Sequence, residues 1–273
     1  MLDEAAEQSR AAFNAAADHY DDEPLSFHVR FGRRSVDHAL LRPGDRVLDV
    51  ACGSGSSVLP AAEQVGPNGR VLGVDVSEGL LALCRTKAER AGLANIELRV
   101  GDMRELDLPV RSFDAVLLVF GLFMVPDMQA LVRDLWELVK PGGRLVITVW
   151  ARGLLEPAYS AFFDAVGARE PDLVPQNPGW LHVADAADLR SALVGGGLPD
   201  EVIEIISEPA MHELRNAEEF WTIVVGSGMR GTLDRLPARA HEPVRRHVLD
   251  VIETNGITEL PVDVLYGRAT KPG

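Results

Sequence analysis

The sequence predicts an α/β chain built on a doubly wound parallel sheet. Three observations carry that reading. Apolar runs alternate with helical patterns from about residue 45 to residue 150, the order expected of strands wound with crossover helices. The runs are continuous, as in "AVLLVF" from Ala115 to Phe120, which suits strands covered on both faces. The first run ends in a glycine turn, Gly53-Ser54-Gly55, and open sheets bind ligands at the carboxyl ends of their strands.

The elements follow in order. Residues 4–20 are alanine-rich and predict a helix; Pro24 interrupts, and a second helix is expected from about Phe27 to Leu41. "RPGD" at 42–45 is a turn. Strands are expected at 46–51, 70–76, 96–100, 113–121 and 144–150, with helices at 56–65, 78–91 and 127–139 between them. Pro141-Gly142-Gly143 reads as the turn before the fifth strand, and Asp127 as a helix cap. Beyond Trp150 the pattern loosens. Residues 153–183 carry four prolines and predict a loop-and-helix excursion. A helix over 185–197 ends in glycines that suit a left-handed stop. A strand at 201–209, two or three helical stretches within 217–254 and a last strand at 262–270 complete the chain. The expected organisation is an N-terminal helical lid segment over 1–41, then one sheet domain over 42–273. Cap insertions at about 153–183 and 217–254 are expected to cover one edge of the sheet.

Composition bounds the function. The chain has 273 residues, 47% of them apolar, and a formal net charge of −14. That acidity disfavours nucleic acid and anionic membrane as partners, which call for a basic face. The one basic cluster, "RLPARAHEPVRRH", reads as a solvated helix face. No apolar stretch reaches membrane-spanning length, and the acidic N-terminus lacks a signal core. Two cysteines, Cys52 and Cys84, argue against a disulfide scaffold and fit a reducing, cytoplasmic setting; Cys52 reads as a packing residue. The seven histidines show no paired spacing, so no metal site is expected.

The glycine turn is a weak signal alone. A dinucleotide loop wants Gly or Ala three positions beyond the second glycine, where this chain has Val58, and no Gly-Lys-Ser/Thr follows for a phosphate loop. Its companions strengthen it. Asp75 ends the second strand, where a carboxylate accepts from ribose hydroxyls. Asp102 and Met103 follow the third strand, an acid for an adenine amino group and a flat apolar contact for its face. Asp49, inside the first strand, suits a ligand carrying an amino group, reached directly or through water; the alternative is that it only orients the loop.

Taken together, "VLDVACGSG", "VLGVDVS", "VGDMRELDLPVRSFDAV" and "LVKPGGRLVIT" resemble the successive motifs of class I S-adenosylmethionine-dependent methyltransferases. The nearer likeness is to the ubiquinone/menaquinone-type C-methyltransferases and their small-molecule relatives. It covers roughly residues 45–150, and "AAADHYDD" before the core is similar as well. The resemblance implies a Rossmann-like sheet of order 3-2-1-4-5-7-6 with its last strand antiparallel. It implies S-adenosylmethionine as cofactor and S-adenosylhomocysteine as product. It places Gly53, Ser54 and Gly55 at the methionine part, Asp75 with Val76 and Ser77 at the ribose, and Asp102 and Met103 at the adenine. Phe120 would face the cofactor, and Tyr20 would lie in the lid. Quinone methylases often carry histidines where this chain has Phe123-Met124, which disfavours a quinone acceptor.

An acceptor is then expected above the fourth and fifth strand ends. Phe123, Met124 and Trp150 would form its floor, Trp180 and Trp221 its roof, with core packing the rival reading for the aromatics. His182, in the "NPGWLH" loop, is the candidate general base by residue type; the rival reading is that it only packs or caps. The expected activity is O- or C-methylation of a small, apolar or aromatic metabolite, with a homodimer left open as the assembly. The alternatives are a protein of the same fold that keeps the cofactor structurally while steering another reaction or partner, and a dinucleotide-dependent oxidoreductase, which Val58 and Asp102-Met103 disfavour.

Overall fold

A computed structural model of the chain describes residues 4–273; the first three residues of the expected lid segment lie outside the described part. Helix α1 (Glu4–Ala16) precedes a short turn of helix at Glu23–Leu25 and α2 (Phe27–Ala39). The wound core follows: β1 (Arg46–Val50), α3 (Val58–Val65), β2 (Arg70–Asp75), α4 (Glu78–Ala91), β3 (Ile96–Val100), β4 (Phe113–Val119), α5 (Met128–Leu138) and β5 (Val139–Trp150). The later chain adds α6 (Ala158–Gly167), α7 (Ala186–Gly195), β6 (Ile203–Glu208), β7 (Met211–Glu213), α8 (Glu218–Val225), α9 (Arg230–Arg235), α10 (Ala238–Thr254), β8 (Glu259–Pro261) and β9 (Val264–Thr270).

The main sheet has seven strands in the order β3-β2-β1-β4-β5-β9-β6. The first five are parallel, and β9 lies antiparallel between β5 and β6. This is the expected order, with β9 as the seventh strand of the sheet. Strand alternation sorts the core into two layers. Leu48, Val116, Leu118 and Ile147 face α5 and α7 with Leu131, Leu135 and Leu189. Val47, Val71, Ala115 and Val146 face α2, α3 and α4 with Val36, Ala61 and Leu81. Asp49 shares the second side with Val47.

Three expectations change. The Pro141-Gly142-Gly143 segment is not a turn before the fifth strand but an irregularity inside β5, which already pairs at Val139 with Phe113 and resumes at Arg144 with Ala115. Gly142 takes φ +78° there, and a side chain on Gly143 would strike the Asp114 carbonyl. Second, α2, within the expected lid segment, is packed into the core. It presents Phe27, Phe31, Ser35, Val36 and Ala39 inward, and the Ser35 hydroxyl meets the Thr148 hydroxyl of β5 at 2.7 Å with both residues buried. Third, the 153–183 and 217–254 segments form a core of their own. Phe162, Phe220, Ile223, Val244 and Val248 are buried with Trp150 and Phe31, and the layer stands over the carboxyl ends of the strands as well as along one edge. The pair β7–β8 is a small antiparallel sheet within it.

Candidate active site

The chain leaves β1 through Ala51 at φ +53°, Gly53 at φ +53° and Gly55 at φ +93°, a left-handed run that glycine accepts at least cost. The Gly53 N–H donates to Oδ2 of Asp75 at 2.8 Å, and the Ser77 N–H donates to Oδ1 at 2.8 Å. Asp75 therefore holds the loop to the second strand end. Each of its oxygens keeps acceptor capacity for a further donor. Burial pushes its carboxyl above the ordinary value, and the backbone N–H groups of Ser77, Gly53 and Val76 oppose that. A Cβ on Gly53 would stand 3.5 Å from the Tyr20 hydroxyl, so Tyr20 roofs the loop. Burial, then the Asp75 and Asp21 charges, hold the Tyr20 phenol well above its usual range. Gly55 answers to packing: a Cβ there would sit 2.5 Å from Cys84 Sγ.

Two of the expected cofactor neighbours tie the N-terminus down instead. The Ser54 hydroxyl donates to Asp21 at 2.6 Å and accepts from Lys87 at 3.1 Å, and Lys87 pairs with Asp21 at 2.8 Å. The Ser77 hydroxyl caps α4 by accepting from Leu80 N–H and donates to Asn14 Oδ1 at 2.8 Å. Neither they nor Gly55 line the cavity described next.

Tyr20, Gly53, Asp75, Val76, Asp102, Met103 and Phe120 border one cavity of about 430 Å³, within the range of small-molecule sites. Phe123, Met124, Trp150 and Trp180 line its other side. Phe120, at φ +58°, lies flat on Trp150 with ring centroids 3.7 Å apart and planes 5° apart. The Trp180 indole N–H donates to the Tyr159 hydroxyl at 3.3 Å. Asp102 is not a free acceptor: Arg104 grips it through Nε at 3.0 Å and Nη2 at 2.6 Å, and Arg104 lines the cavity too. An adenine amino group would share that carboxylate.

Asp49 lies off the cavity, fully buried beneath the glycine loop. Neither of its carboxylate oxygens has a hydrogen-bond partner. Burial pushes it up to about 7; Ser57 is near enough to temper the shift without pairing in good geometry, and the Asp75 charge adds to it. A buried orphan carboxylate is costly and fits a cationic ligand group reached through the loop.

Two candidates fall elsewhere. His182 is exposed at the end of the short helix Gly179–Val183 and does not line the cavity. Gly179 packs against the Phe123 carbonyl; Trp180 lines the cavity and His182 does not. Trp221 is half-buried against the cap core and also misses the cavity. In their place stand Phe13, His28, Tyr159, Phe163 and Met229. His28 had no sequence signal beyond its neighbour Phe27, since α2 reads as an amphipathic helix in which one histidine is unremarked. Among the described residues no cluster of three His, Cys, Asp or Glu is arranged to hold a metal ion, and no helix is long and apolar enough to cross a membrane.

A methyltransferase-domain family profile matches residues 47–143. A demethylmenaquinone methyltransferase of Listeria welshimeri is 36% identical over 149 residues, 53% of this chain and 63% of that protein, so the match spans under two thirds of that relative. The nocamycin O-methyltransferase of Saccharothrix syringae is 31% identical over 216 residues, 76% of this chain and 73% of that protein. Among solved structures, the YcgJ protein of Bacillus subtilis superimposes with a TM-score of 0.57 at 17% identity, over 90% of this chain and 99% of that one, a likeness of fold.

Proposed function

Because this chain belongs to the class I S-adenosylmethionine-dependent methyltransferases, we propose that it methylates oxygen or carbon on an apolar or aromatic small molecule. One observation carries the reading: a single cavity joins the Gly53–Asp75 edge to the Phe120–Trp150 wall. The residues fit the cofactor. Asp75 would take the ribose hydroxyls, Val76 and Met103 the faces of the base, and the unpartnered Asp49 the positive charge of the methionine end. Bound there, S-adenosylmethionine supplies a methyl group already activated by its sulfonium. What remains for the protein is to hold the acceptor in line and exclude water. Phe123, Met124, Trp150 and Trp180 offer flat apolar faces for an aromatic acceptor, and electron-rich rings also favour a nearby cation.

Residues 1–41 are read as the segment that covers and steadies the site, and 42–273 as the methyltransferase domain with its cap. The reading extends to a cytoplasmic enzyme working away from nucleic acid, in line with the net charge of −14. Sedimentation would decide between monomer and homodimer. Incubation with S-adenosylmethionine labelled in its methyl group tests the function. Label should pass to hydroxylated polycyclic aromatics. Binding of the cofactor with no transfer across phenols, enols and hydroquinones would contradict it.

A further inference from the structure

We propose that His28 is the proton acceptor of this site, its Nε2 taking the hydroxyl proton of a phenolic or enolic acceptor. The inference rests on the methyltransferase reading above. Tyr20, His28, Asp75, Asp102, Arg104 and Tyr159 are the titratable side chains that line the cavity. Asp102 and Arg104 hold one another. Asp75 is engaged by the Gly53 and Ser77 N–H groups on the cofactor side. The Tyr20 and Tyr159 phenols are held up by burial and stay protonated. His28 offers an uncharged ring nitrogen with no hydrogen-bond donor on it. Neither of its ring nitrogens makes a hydrogen bond; Nδ1 is sealed within the protein, which leaves Nε2 to the cavity.

Its placement suits the task. The ring stacks on Tyr20 at 5.3 Å and 10°, and Tyr20 roofs Gly53. On the other side it stands 5.9 Å from Phe120 and 5.8 Å from Trp150. His28 thus sits where the glycine loop meets the aromatic wall, gripped on several sides and costing little to orient. The groups facing it are Asp21 from the turn after α1, His212 from β7, Tyr20, and the uncharged rings of Phe27, Phe120 and Trp150. Burial lowers its pKa to about 4, with Asp21 opposing and His212 adding, so at neutral pH the ring is an acceptor. In the step it serves, the acceptor oxygen forms the new O–C bond. The S–C bond breaks with its electron pair going to sulfur, and the O–H proton passes to Nε2. The hydroxyl becomes strongly acidic as its bond to carbon forms, so a weak base suffices. The positive charge lost from sulfur reappears on an imidazolium that Asp21 favours.

The test starts without any acceptor. Histidine-labelled full-length protein is followed by NMR with S-adenosylhomocysteine and then with S-adenosylmethionine, His28→Gln supplying the assignment. Both proteins should bind both cofactors with affinities within about threefold by calorimetry. The Nε2 resonance of His28 should move between the neutral and the cationic cofactor while His182, His241 and His247 stay still. An unmoved His28 in a protein that binds both overturns the inference alone; no binding of either overturns the methyltransferase reading with it. Turnover of 1-naphthol and the more acidic 4-nitrophenol adds a second readout. His28→Gln should lose roughly 10²–10⁴-fold with 1-naphthol, less with 4-nitrophenol, and recover as rising pH ionises the acceptor. An equal loss with both phenols at every pH would mark His28 as structural.

Discussion

Two buried groups pull the pH dependence of stability in opposite directions. Asp49 is raised in the folded protein to about 7, so between its unfolded value near 4 and that point the folded state holds a proton the unfolded chain has lost. Stability falls as pH rises through that window. His28 is lowered to about 4, so between there and its unfolded value near 6.5 the unfolded chain holds the extra proton. Its contribution rises with pH over that window and is lost in acid. The two slopes oppose one another and are separable by substitution. Asp49→Asn should raise stability at pH 8 by about 1–3 kcal/mol by removing an unpaired buried charge, while weakening S-adenosylhomocysteine binding. His28→Gln should flatten the rise between pH 4 and 6.5. Thermal melts across pH measure both; an Asp49→Asn melting temperature equal to or below wild type at pH 8 would contradict the account of Asp49.

At the scale of elements, Asn14 is a latch that ties the N-terminal helix to the start of α4. Asn14 Oδ1 accepts from the Ser77 hydroxyl at 2.8 Å and from the Gly79 N–H at 3.0 Å, at the start of α4, and Arg230 of α9 reaches the Ala15 carbonyl at 3.2 Å. Asn14→Ala should speed amide exchange within α1 about 30-fold, since each of the two lost hydrogen bonds contributes about 1 kcal/mol. It should quicken cofactor release and leave β1, β4 and β5 unchanged. Exchange in α1 equal to wild type would contradict the latch. Gly55→Ala probes the loop–helix junction. It meets both the φ of +93° and Cys84 Sγ at 2.5 Å, and should cost more than about 1 kcal/mol. Adding Cys84→Ala should restore part of the loss, the steric part, and denaturant midpoints would show it; no recovery in the double variant would place the strain in the backbone alone. These contacts explain what the sequence left illegible. Ser54 and Ser77 read as cofactor neighbours because they stand beside Gly53 and Asp75. Which way a hydroxyl turns depends on Asn14 and Asp21, tens of residues away. His182 read as a base from residue type and a loop setting, whereas its exposure follows from how Gly179 docks on Phe123.

Across the whole molecule, the sheet was legible because its signal is local and repeated. The continuous apolar runs, Gly53, Gly55 and Asp75 each report a strand, a turn or a strand end by themselves, and the order β3-β2-β1-β4-β5-β9-β6 follows from them and the family likeness. The cap was legible only as an interruption. Its layer depends on long-range pairings, such as Phe27 with His212 or Phe120 with Trp150, and no periodicity within 153–183 or 217–254 points to them. The three-residue strands β7 and β8 are too short to carry a pattern. Sheet and cap meet at the cavity, and the central claim is that Asp75 anchors S-adenosylmethionine there. Calorimetric titration of S-adenosylhomocysteine into the full chain and into Asp75→Ala, with folding checked by circular dichroism, tests it most directly. Two hydrogen bonds to a charged group contribute roughly 1.5–3 kcal/mol each, so the variant should bind at least about 100-fold more weakly, against one ligand bound per wild-type chain. Equal affinity in the folded variant, or no binding to the wild type, would contradict the account.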